Sequence, residues 1–341
     1  AFAKPLVLWH SYRGSEEKAL EKVVERFEQR YPEETLKVLA VPYDVMASKL
    51  TAAIPRGNGP DVFIFAHERI GGWVQSGLLE PWANGAFERD AYFSKTVEAL
   101  SLRQEVYGLP LAFKSLALFY NKALVPRAPS TTAELVSLAQ SLHAPGHYAM
   151  AYQSESFYFH TPWLVGMGGT LFDSHERATF RSQPALEAYA FVKGLRDKNY
   201  IPDEASGSLV KTLFNTGKAA MVMSGPWFSA EIAPTIDYGV APLPLMPTGR
   251  RAQPLLTVEG VFVSSHSAWP GKGQRLAKFL AGETGATIRA LVGGQTVAYQ
   301  SVWDSAKLRS NPVQRAFLEQ LRFTLPMPSD GSMHELWEPG D

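Results

Sequence analysis

A charged triplet, His67-Glu68-Arg69, follows directly on the apolar run DVFIFA at residues 61–66. The run has the aromatic and β-branched content of a buried strand, so the triplet marks the point where that strand ends. Loops after parallel strands form ligand sites in open α/β sheets. A carboxylate beside a guanidinium can hydrogen-bond adjacent hydroxyl groups. The pattern therefore predicts a polar ligand site that uses Glu68 and Arg69, and the alternative is an exposed ion pair at the start of the next helix.

A metal site is a second possibility at this triplet, because His-Glu also begins the HExxH motif of zinc peptidases. The second His of that motif is absent, since Gly71 occupies its position. We therefore interpret His67 as a structural turn residue. The chain also has no Cys, which excludes disulfides and thiolate ligands. We expect neither a metal nor a cofactor.

The elements around the triplet predict an α/β sheet that positions it. Strand and helix patterns alternate from the N-terminus, at residues 6–11, 15–31, 35–42, 45–57 and 61–66. Such β-α-β units imply parallel strands joined by right-handed crossovers. Beyond residue 120 the chain builds a helix-rich region, and a strand at 258–265 with a helix at 271–281 then resembles the first region again. The sequence therefore predicts two α/β lobes joined by several hinge strands.

Length and charge narrow the class of protein. The 341 residues suit two domains, and 33 basic residues balance 33 acidic ones. No block of five like charges appears, so we expect no nucleic-acid or membrane-surface partner. The longest uncharged apolar stretch, residues 156–172, is interrupted by Pro162 and Gly168-Gly169 and makes a poor membrane helix. Because the chain begins with Ala1, we expect a processed or excised N-terminus.

Four segments of the chain resemble the maltose/maltodextrin-binding proteins of bacterial ABC importers. They are the opening LVLWHS, GPDVFIFAHERIGGWVQSGLLEP (59–81), LPLAFKSLALFYNKAL (109–124) and FNTGKAAMVMSGPW (214–227). The resemblance runs in order from residue 6 to about residue 337. It implies a two-lobe periplasmic-binding-protein fold of the α/β class, each lobe a mostly parallel sheet flanked by helices.

The resemblance also implies where the two lobes divide. The N-terminal lobe would comprise residues 1–112 and 260–313, and the C-terminal lobe residues 113–259 and 314–341. Hinges are expected near Leu111 to Lys114, at Glu259 and at Asn311 to Arg315.

A non-catalytic receptor is the function that the resemblance implies. It would bind maltose or maltodextrin, a linear α-1,4-glucan, in the cleft between its lobes and deliver it to the permease subunits of an ABC transporter by hinge closure. Such a receptor is a monomer and is periplasmic or otherwise extracytoplasmic, free or tethered to the cytoplasmic membrane. The family continues with further helix after Trp337, so we hypothesise that the natural chain extends beyond Asp341, for example into a fused membrane component.

In the first lobe, matching positions give five candidate ligand residues. Glu68 and Arg69 stand where the family has a sugar-binding Asp-Arg pair, and Phe65 stands where it has a sugar-contacting Trp. Tyr12 and Arg13 lie in a turn where the family uses an acid and a Lys. Sugars present apolar C–H faces to aromatic rings and hydroxyls to planar donors and acceptors. The alternatives are core packing for Phe65 and a solvated turn for Tyr12 and Arg13.

In the second lobe, SESFYFHTPW (154–163) resembles a family segment with a Glu and a stacking Tyr. Tyr158 matches the stacking Tyr, whereas the Glu position falls on Ser156 with Glu155 beside it. Phe157 belongs to the same aromatic cluster, of which we expect at least one ring to lie in the core.

Three further positions complete the predicted site. Trp227 and Trp337 match two Trp residues that stack on glucosyl rings in the family. Lys114 stands where the family has a Glu in a hinge strand. Its reversed charge either changes a hydroxyl contact or pairs with Glu68 or Glu155.

Three other functions stay open at this point, and one of them, a scaffold or chemoreceptor-docking module without its own ligand, explains none of the candidate ligand residues. The same fold could bind another sugar or a phosphorylated polyol such as glycerol 3-phosphate, because the helix after HSYRGS offers an anion site near Arg13. A glycoside hydrolase would need Glu68 and Glu155 as paired carboxylates, one of them kept protonated. We expect Arg69 to lower the pKa of Glu68 and so to disfavour that role.

Overall fold

A computed structural model describes residues 5–175, 177–330 and 332–333. These residues divide into two units. Unit 1 is formed by the chain up to Phe113, by Thr257–Ser310 and by Pro326–Met333, and unit 2 by Lys114–Leu256 and Asn311–Leu325.

Strands and helices alternate along most of the chain. Up to residue 121 the elements are β1 (Leu6–His10), α1 (Gly14–Arg30), β2 (Leu36–Ala40), α2 (Tyr43–Ala53), β3 (Val62–Ala66), α3 (Ile70–Gln75), α4 (Ser94–Ala99), β4 (Ser101–Leu102), β5 (Glu105–Val106), β6 (Leu109–Lys114) and β7 (Ala117–Asn121). Beyond it they are α5 (Thr132–Ser141), β8 (Tyr148–Ala151), α6 (Phe157–Gly166), α7 (Gln183–Asp197), α8 (Gly207–Asn215), β9 (Ala219–Ser224), β10 (Tyr238–Ala241), β11 (Leu255–Val263), α9 (Pro270–Ala281), α10 (Glu283–Leu291), α11 (Ala306–Arg309), α12 (Pro312–Leu321) and β12 (Leu325–Pro326).

The main sheet of unit 1 runs in the order β12-β11-β3-β1-β2, and β6 pairs with β11. Strand β1 pairs in parallel with both β2 and β3, as the alternating strand and helix pattern predicts. Strand β11 runs antiparallel to β3 and sets Glu259 opposite Ala66. The carboxyl ends of β1, β2 and β3 therefore share one edge of the sheet with Glu259.

Helix α1 covers this sheet with one apolar stripe. Its buried residues recur at helical spacing, and Leu20, Val23 and Phe27 share one core cluster with leucines of β1 and α9, namely Leu6, Leu8, Leu276 and Leu280. The buried residues of α1 are Ala19, Leu20, Val23 and Phe27. This packing fixes the turn between β1 and α1, where Tyr12 and Arg13 lie.

The sheet of unit 2 has the order β10-β7-β9-β8. Strands β8 and β9 are parallel, and helices α6, α7 and α8 provide the crossover that parallel neighbours require. The pairs β10 with β7 and β7 with β9 are antiparallel. The predicted α/β class is confirmed, but the expectation of a mostly parallel sheet in each lobe fails for unit 2.

The segment Pro326–Met333 belongs to unit 1, whereas the sequence resemblance predicts the second lobe for all residues after 313. Two hydrogen bonds explain the difference. His67 donates from Nε2 to the Met327 carbonyl over 2.8 Å, and the Gly71 amide donates to the Ser329 carbonyl over 2.7 Å. Position 71 requires glycine, because a Cβ there would lie 2.6 Å from the Ser329 carbonyl oxygen.

Glu259 also lies in unit 1, since the second crossing of the chain between units falls at Leu256 and Thr257. The sequence resemblance instead predicts that residues up to 259 belong to the second lobe. Pairing of β11 with β3 draws Glu259 into the sheet of unit 1. Over the described ranges, no helix is both long and apolar enough to cross a bilayer.

Candidate functional site

The shared carboxyl edge of β1, β2 and β3 gathers the candidate residues of unit 1. Tyr12 and Arg13 follow β1, Tyr43 opens α2 just after β2, and Glu68 and Arg69 belong to the 3-10 helix His67–Arg69 that follows β3. Polar and aromatic side chains therefore meet where ligands bind in open α/β sheets. We call Tyr12, Tyr43, Glu68, Arg69 and Glu259 the edge cluster of unit 1.

Tyr12 is buried, with 5% of its surface exposed, and its hydroxyl donates to Glu259 Oε2 over 3.2 Å. Its amide donates to His10 Nδ1 over 3.1 Å, which fixes the turn. Burial, followed by the charge of Glu259, raises the pKa of Tyr12 well above its ordinary value. The phenol therefore stays protonated and orients the Glu259 carboxylate. This replaces the predicted direct contact of Tyr12 with a ligand, whereas Arg13 is exposed and stays a predicted contact.

The buried cation Arg289 is connected to Tyr12 through Gln295. Arg289 of α10 is fully buried and donates to the carbonyls of Leu111 over 2.9 Å and Leu280 over 3.2 Å. It also donates to Gln295 Oε1 over 3.3 Å, and the Gln295 side chain is hydrogen-bonded to Tyr12. A hydrogen-bond chain thus runs from Arg289 through Gln295 and Tyr12 to Glu259.

Phe65 is 4% exposed and offers little surface to a ligand, because Tyr43 covers it. The two rings stack with centroids 4.7 Å apart and planes 15° apart. Tyr43 itself is 49% exposed. The aromatic surface that the sequence analysis assigned to Phe65 is therefore presented by Tyr43, and Phe65 supports it from within the sheet.

The Glu68 carboxylate is half-buried, and its pKa is raised. Burial is the larger cause, and the charge of Arg69 acts against it. Arg69 does act to lower the pKa of Glu68, as expected, but the net lowering that would disfavour an acid role is not found, because loss of hydration outweighs the attraction of the adjacent guanidinium.

His67 is fully buried and has two backbone partners. Its Nδ1 accepts from the Val258 amide over 3.0 Å, and its Nε2 donates to the Met327 carbonyl. Burial lowers its pKa, so the ring is neutral in this arrangement. Both ring nitrogens serve the fold, in agreement with a structural turn residue, and the described residues contain no cluster of His, Cys, Asp and Glu that could hold a metal ion.

In unit 2, the start of α6 separates the predicted aromatic residues by their burial. Phe157 is 4% exposed and packs edge to face on Phe180 with centroids 5.4 Å apart. This corrects its assignment as a ligand residue, because the helix turns its ring into the core. Tyr158 is half-buried and packs edge-on against Phe159, so it stays a predicted contact.

The loop before α6 carries a small polar group. Glu155 is exposed and pairs with Arg196 over 3.7 Å, and Arg196 also donates to Ser154 Oγ over 3.0 Å. His160, in the same helix, has its pKa lowered to about 4, first by burial and then by the charge of Arg196. Glu155 is thus held at the surface of unit 2, and its contact with a ligand stays a prediction.

Trp227 is 43% exposed and lies in the 3-10 helix Pro226–Glu231 after β9. Its indole rests on the Gly225 backbone, where a Cβ would lie 2.0 Å from a ring atom. Glycine at 225 therefore leaves the room that the indole needs against the backbone. Lys114, at the end of β6, is half-buried, and its role stays a prediction. Trp337 lies outside the described residues.

The chain belongs to a family of extracellular solute-binding proteins. Residues 13–287 match the family model described as bacterial extracellular solute-binding protein, which is most of the chain. The sequence resemblance is thereby confirmed at the level of the family, and this protein is a bacterial extracellular solute-binding protein.

Named relatives and solved structures match nearly the full chain. A galactooligosaccharide-binding protein of Bacillus subtilis strain 168 is 27% identical and covers 98% of this chain and 82% of its own. The maltodextrin-binding protein MdxE of the same strain is 25% identical, and the match covers 95% of this chain and 81% of MdxE. A crystal structure of a cyclo/maltodextrin-binding protein complexed with maltotetraose has a TM-score of 0.90 at 28% identity. The match covers 99% of this chain and 90% of that chain.

Proposed function

We propose that this protein binds a linear maltodextrin and delivers it to the permease of an ABC importer. The observation that carries the proposal is the edge cluster of unit 1, which combines an exposed phenol ring with two carboxylates and a guanidinium. Pyranose rings need this combination of a flat apolar surface and planar hydrogen-bonding groups. The exposed indole of Trp227 in unit 2 adds a second aromatic surface. Relatives named for maltodextrin support the choice of sugar.

A second oligosaccharide is the other candidate, because one relative is named for galactooligosaccharides. Both ligand classes offer pyranose C–H faces and several hydroxyls, so the edge cluster suits either. A phosphorylated polyol is less well supported. Glu68 and Glu259 lie at the site, and Glu16 and Glu17 occupy the first turn of α1, so an anion would meet repulsion at the position proposed for it.

Delivery to a transporter and an extracytoplasmic location are further parts of the proposal. The family description supports both, and a relative from Streptococcus pneumoniae is named a solute-binding lipoprotein of a maltooligosaccharide ABC transporter. We propose a non-catalytic role. Glu68 and Glu155 lie in different units, and Glu155 is paired with Arg196.

Isothermal titration calorimetry tests the ligand. We expect saturable binding of maltotriose, no binding of glycerol 3-phosphate, and loss of at least tenfold in affinity in Trp227→Ala. Binding of β-1,4-galactotriose in place of maltotriose would select the second candidate. Binding of glycerol 3-phosphate alone would refute both, and release of glucose from maltotriose over hours would refute the non-catalytic role.

A further inference from the structure

The geometry points to Tyr43 as a sugar-stacking residue, with Glu68 and Glu259 accepting hydrogen bonds from hydroxyls of the same pyranose ring. The inference rests on the proposed function and deepens it, because it names a ring-binding position that the sequence analysis did not identify. Tyr43 carries no local signal for this role, since it stands in an ordinary strand-to-helix turn.

The Tyr43 ring has one supported face and one accessible face. Phe65 stacks against it with a centroid distance of 4.7 Å, and Trp73 braces Phe65 edge to face at 5.7 Å. Trp73 in turn packs against Phe63 at 5.2 Å and Phe262 at 5.6 Å. Three layers of buried rings therefore hold Tyr43 in place, so stacking of a sugar on its outer face costs little ordering of the protein.

Charged groups lie close in the sheet to the ring that supports Tyr43, because Glu259 is opposite Ala66, the residue after Phe65, and Glu68 follows two residues later. Burial raises the pKa of Tyr43, and the charges of Glu68 and Glu259 raise it further while Arg69 acts against them. These three charged groups therefore lie within electrostatic range of the Tyr43 hydroxyl. A pyranose ring on the outer face of Tyr43 would bring its hydroxyls to two carboxylates and one guanidinium.

Hydrogen bonds within the protein orient the Glu259 carboxylate without a ligand. Tyr12 donates to its Oε2, and the chain of hydrogen bonds through Gln295 ends on the buried Arg289. An acceptor fixed in this way favours a ligand that supplies donors, as sugar hydroxyls do.

Tyr189 is an exposed tyrosine outside the edge cluster and can be compared with Tyr43. Tyr189 on α7 is 61% exposed and lies in unit 2 near the exposed Leu186 on the same helix. It therefore serves as a matched control for removal of a surface phenol.

The test is calorimetric titration of maltotriose and β-1,4-galactotriose into the wild type and four variants. Tyr43→Ala removes the ring, Tyr43→Leu keeps an apolar cover over Phe65 without an aromatic face, and Tyr43→Phe keeps the ring. Tyr189→Ala is the control. For whichever sugar the wild type binds, we expect Tyr43→Ala and Tyr43→Leu to lose affinity by about 3- to 10-fold, the range of an aromatic contact. Tyr43→Phe and Tyr189→Ala should stay within twofold of the wild type.

Two results would overturn the inference, and they differ from each other. Wild-type affinity in Tyr43→Leu, with normal binding by the wild type itself, would refute the stacking role and leave the proposed function intact. Absence of binding of either sugar by the wild type would refute the proposed function and the inference with it. A thermal unfolding curve of each variant shows whether it is folded. If Tyr43→Ala is unfolded, the affinity of Tyr43→Leu alone tests the stacking role.

Discussion

Two adjacent glycines in α3 should respond in opposite ways to the same substitution. Alanine at Gly71 would place its Cβ 2.6 Å from the Ser329 carbonyl oxygen and 2.7 Å from Asp330 Cα. Both atoms are backbone, so a side-chain rotation cannot relieve the contact. Alanine at Gly72 meets nothing within 4 Å. We therefore expect Gly71→Ala to destabilise unit 1 and Gly72→Ala to stabilise it slightly.

The difference between the two variants can be worked out because both gain the same helix propensity. Overpacking against fixed atoms costs about 1 to 3 kcal/mol. Displacement of the Ser329 segment also weakens the 2.7 Å hydrogen bond from the Gly71 amide, which is worth about 1 kcal/mol. Gly71→Ala should therefore be about 2 to 4 kcal/mol less stable than Gly72→Ala. Gly72→Ala itself should gain about 0.5 to 1 kcal/mol over the wild type.

Urea unfolding followed by tryptophan fluorescence measures this difference. Trp73 is buried in the same helix and reports on unit 1. Equal free energies of unfolding for the two variants would refute the reasoning, because they would mean that the segment Pro326–Met333 does not pack on Gly71. Hydrogen exchange at the Gly71 amide gives an independent check, since its protection should fall in Gly71→Ala.

Three further predictions follow from buried polar groups and from one glycine. Burial lowers the pKa of three histidines, His10, His67 and His160. Their contribution to the free energy of unfolding should be complete above the pKa of an unfolded-state histidine, about 6.5, and should be lost as the pH falls below it. Urea unfolding at about pH 7 and about pH 5 measures this loss. A flat profile would contradict neutral buried rings. Tyr12→Phe removes the donor to Glu259 and should weaken oligosaccharide binding about 2- to 10-fold in calorimetry without unfolding the chain. Gly225→Ala should displace the Trp227 indole and match the binding loss of Trp227→Ala, and unchanged affinity would show that the ring does not rest on Gly225.

The sequence predicted the parts of the site that follow from local pattern. The strand before Glu68 and Arg69 is a continuous apolar run, so its end could be located, and the alternation of elements predicted that the end lies at a ligand-binding edge. Arg13 and Tyr158 were found through resemblance to a family, and their contacts stay predictions. These are cases in which neighbouring residues in the chain carry the information.

Positions that depend on distant pairing could not be predicted in this way. Glu259 meets Tyr12 only because β11 pairs with β3, and the two residues are 247 positions apart. Tyr43 covers Phe65 because β2 and β3 both flank β1. Phe157 and Tyr158 look alike in sequence, and only the packing of Phe157 on Phe180 separates a core ring from a half-buried one. The antiparallel pairs of unit 2 likewise depend on which strands meet.

The buried Arg289 is best explained by the site that it supports. A cation in the interior carries a large desolvation cost, and burial lowers the pKa of Arg289 while Glu259 and Glu16 act against that shift. An apolar side chain could fill the same volume at lower cost, but it could not hold Gln295, which orients Tyr12 and donates to Glu16 over 3.2 Å. Because Tyr12 then directs Glu259, the guanidinium fixes an acceptor at the edge of the sheet. A charge that is costly for folding is thus consistent with the need for a rigid carboxylate at the proposed ligand site.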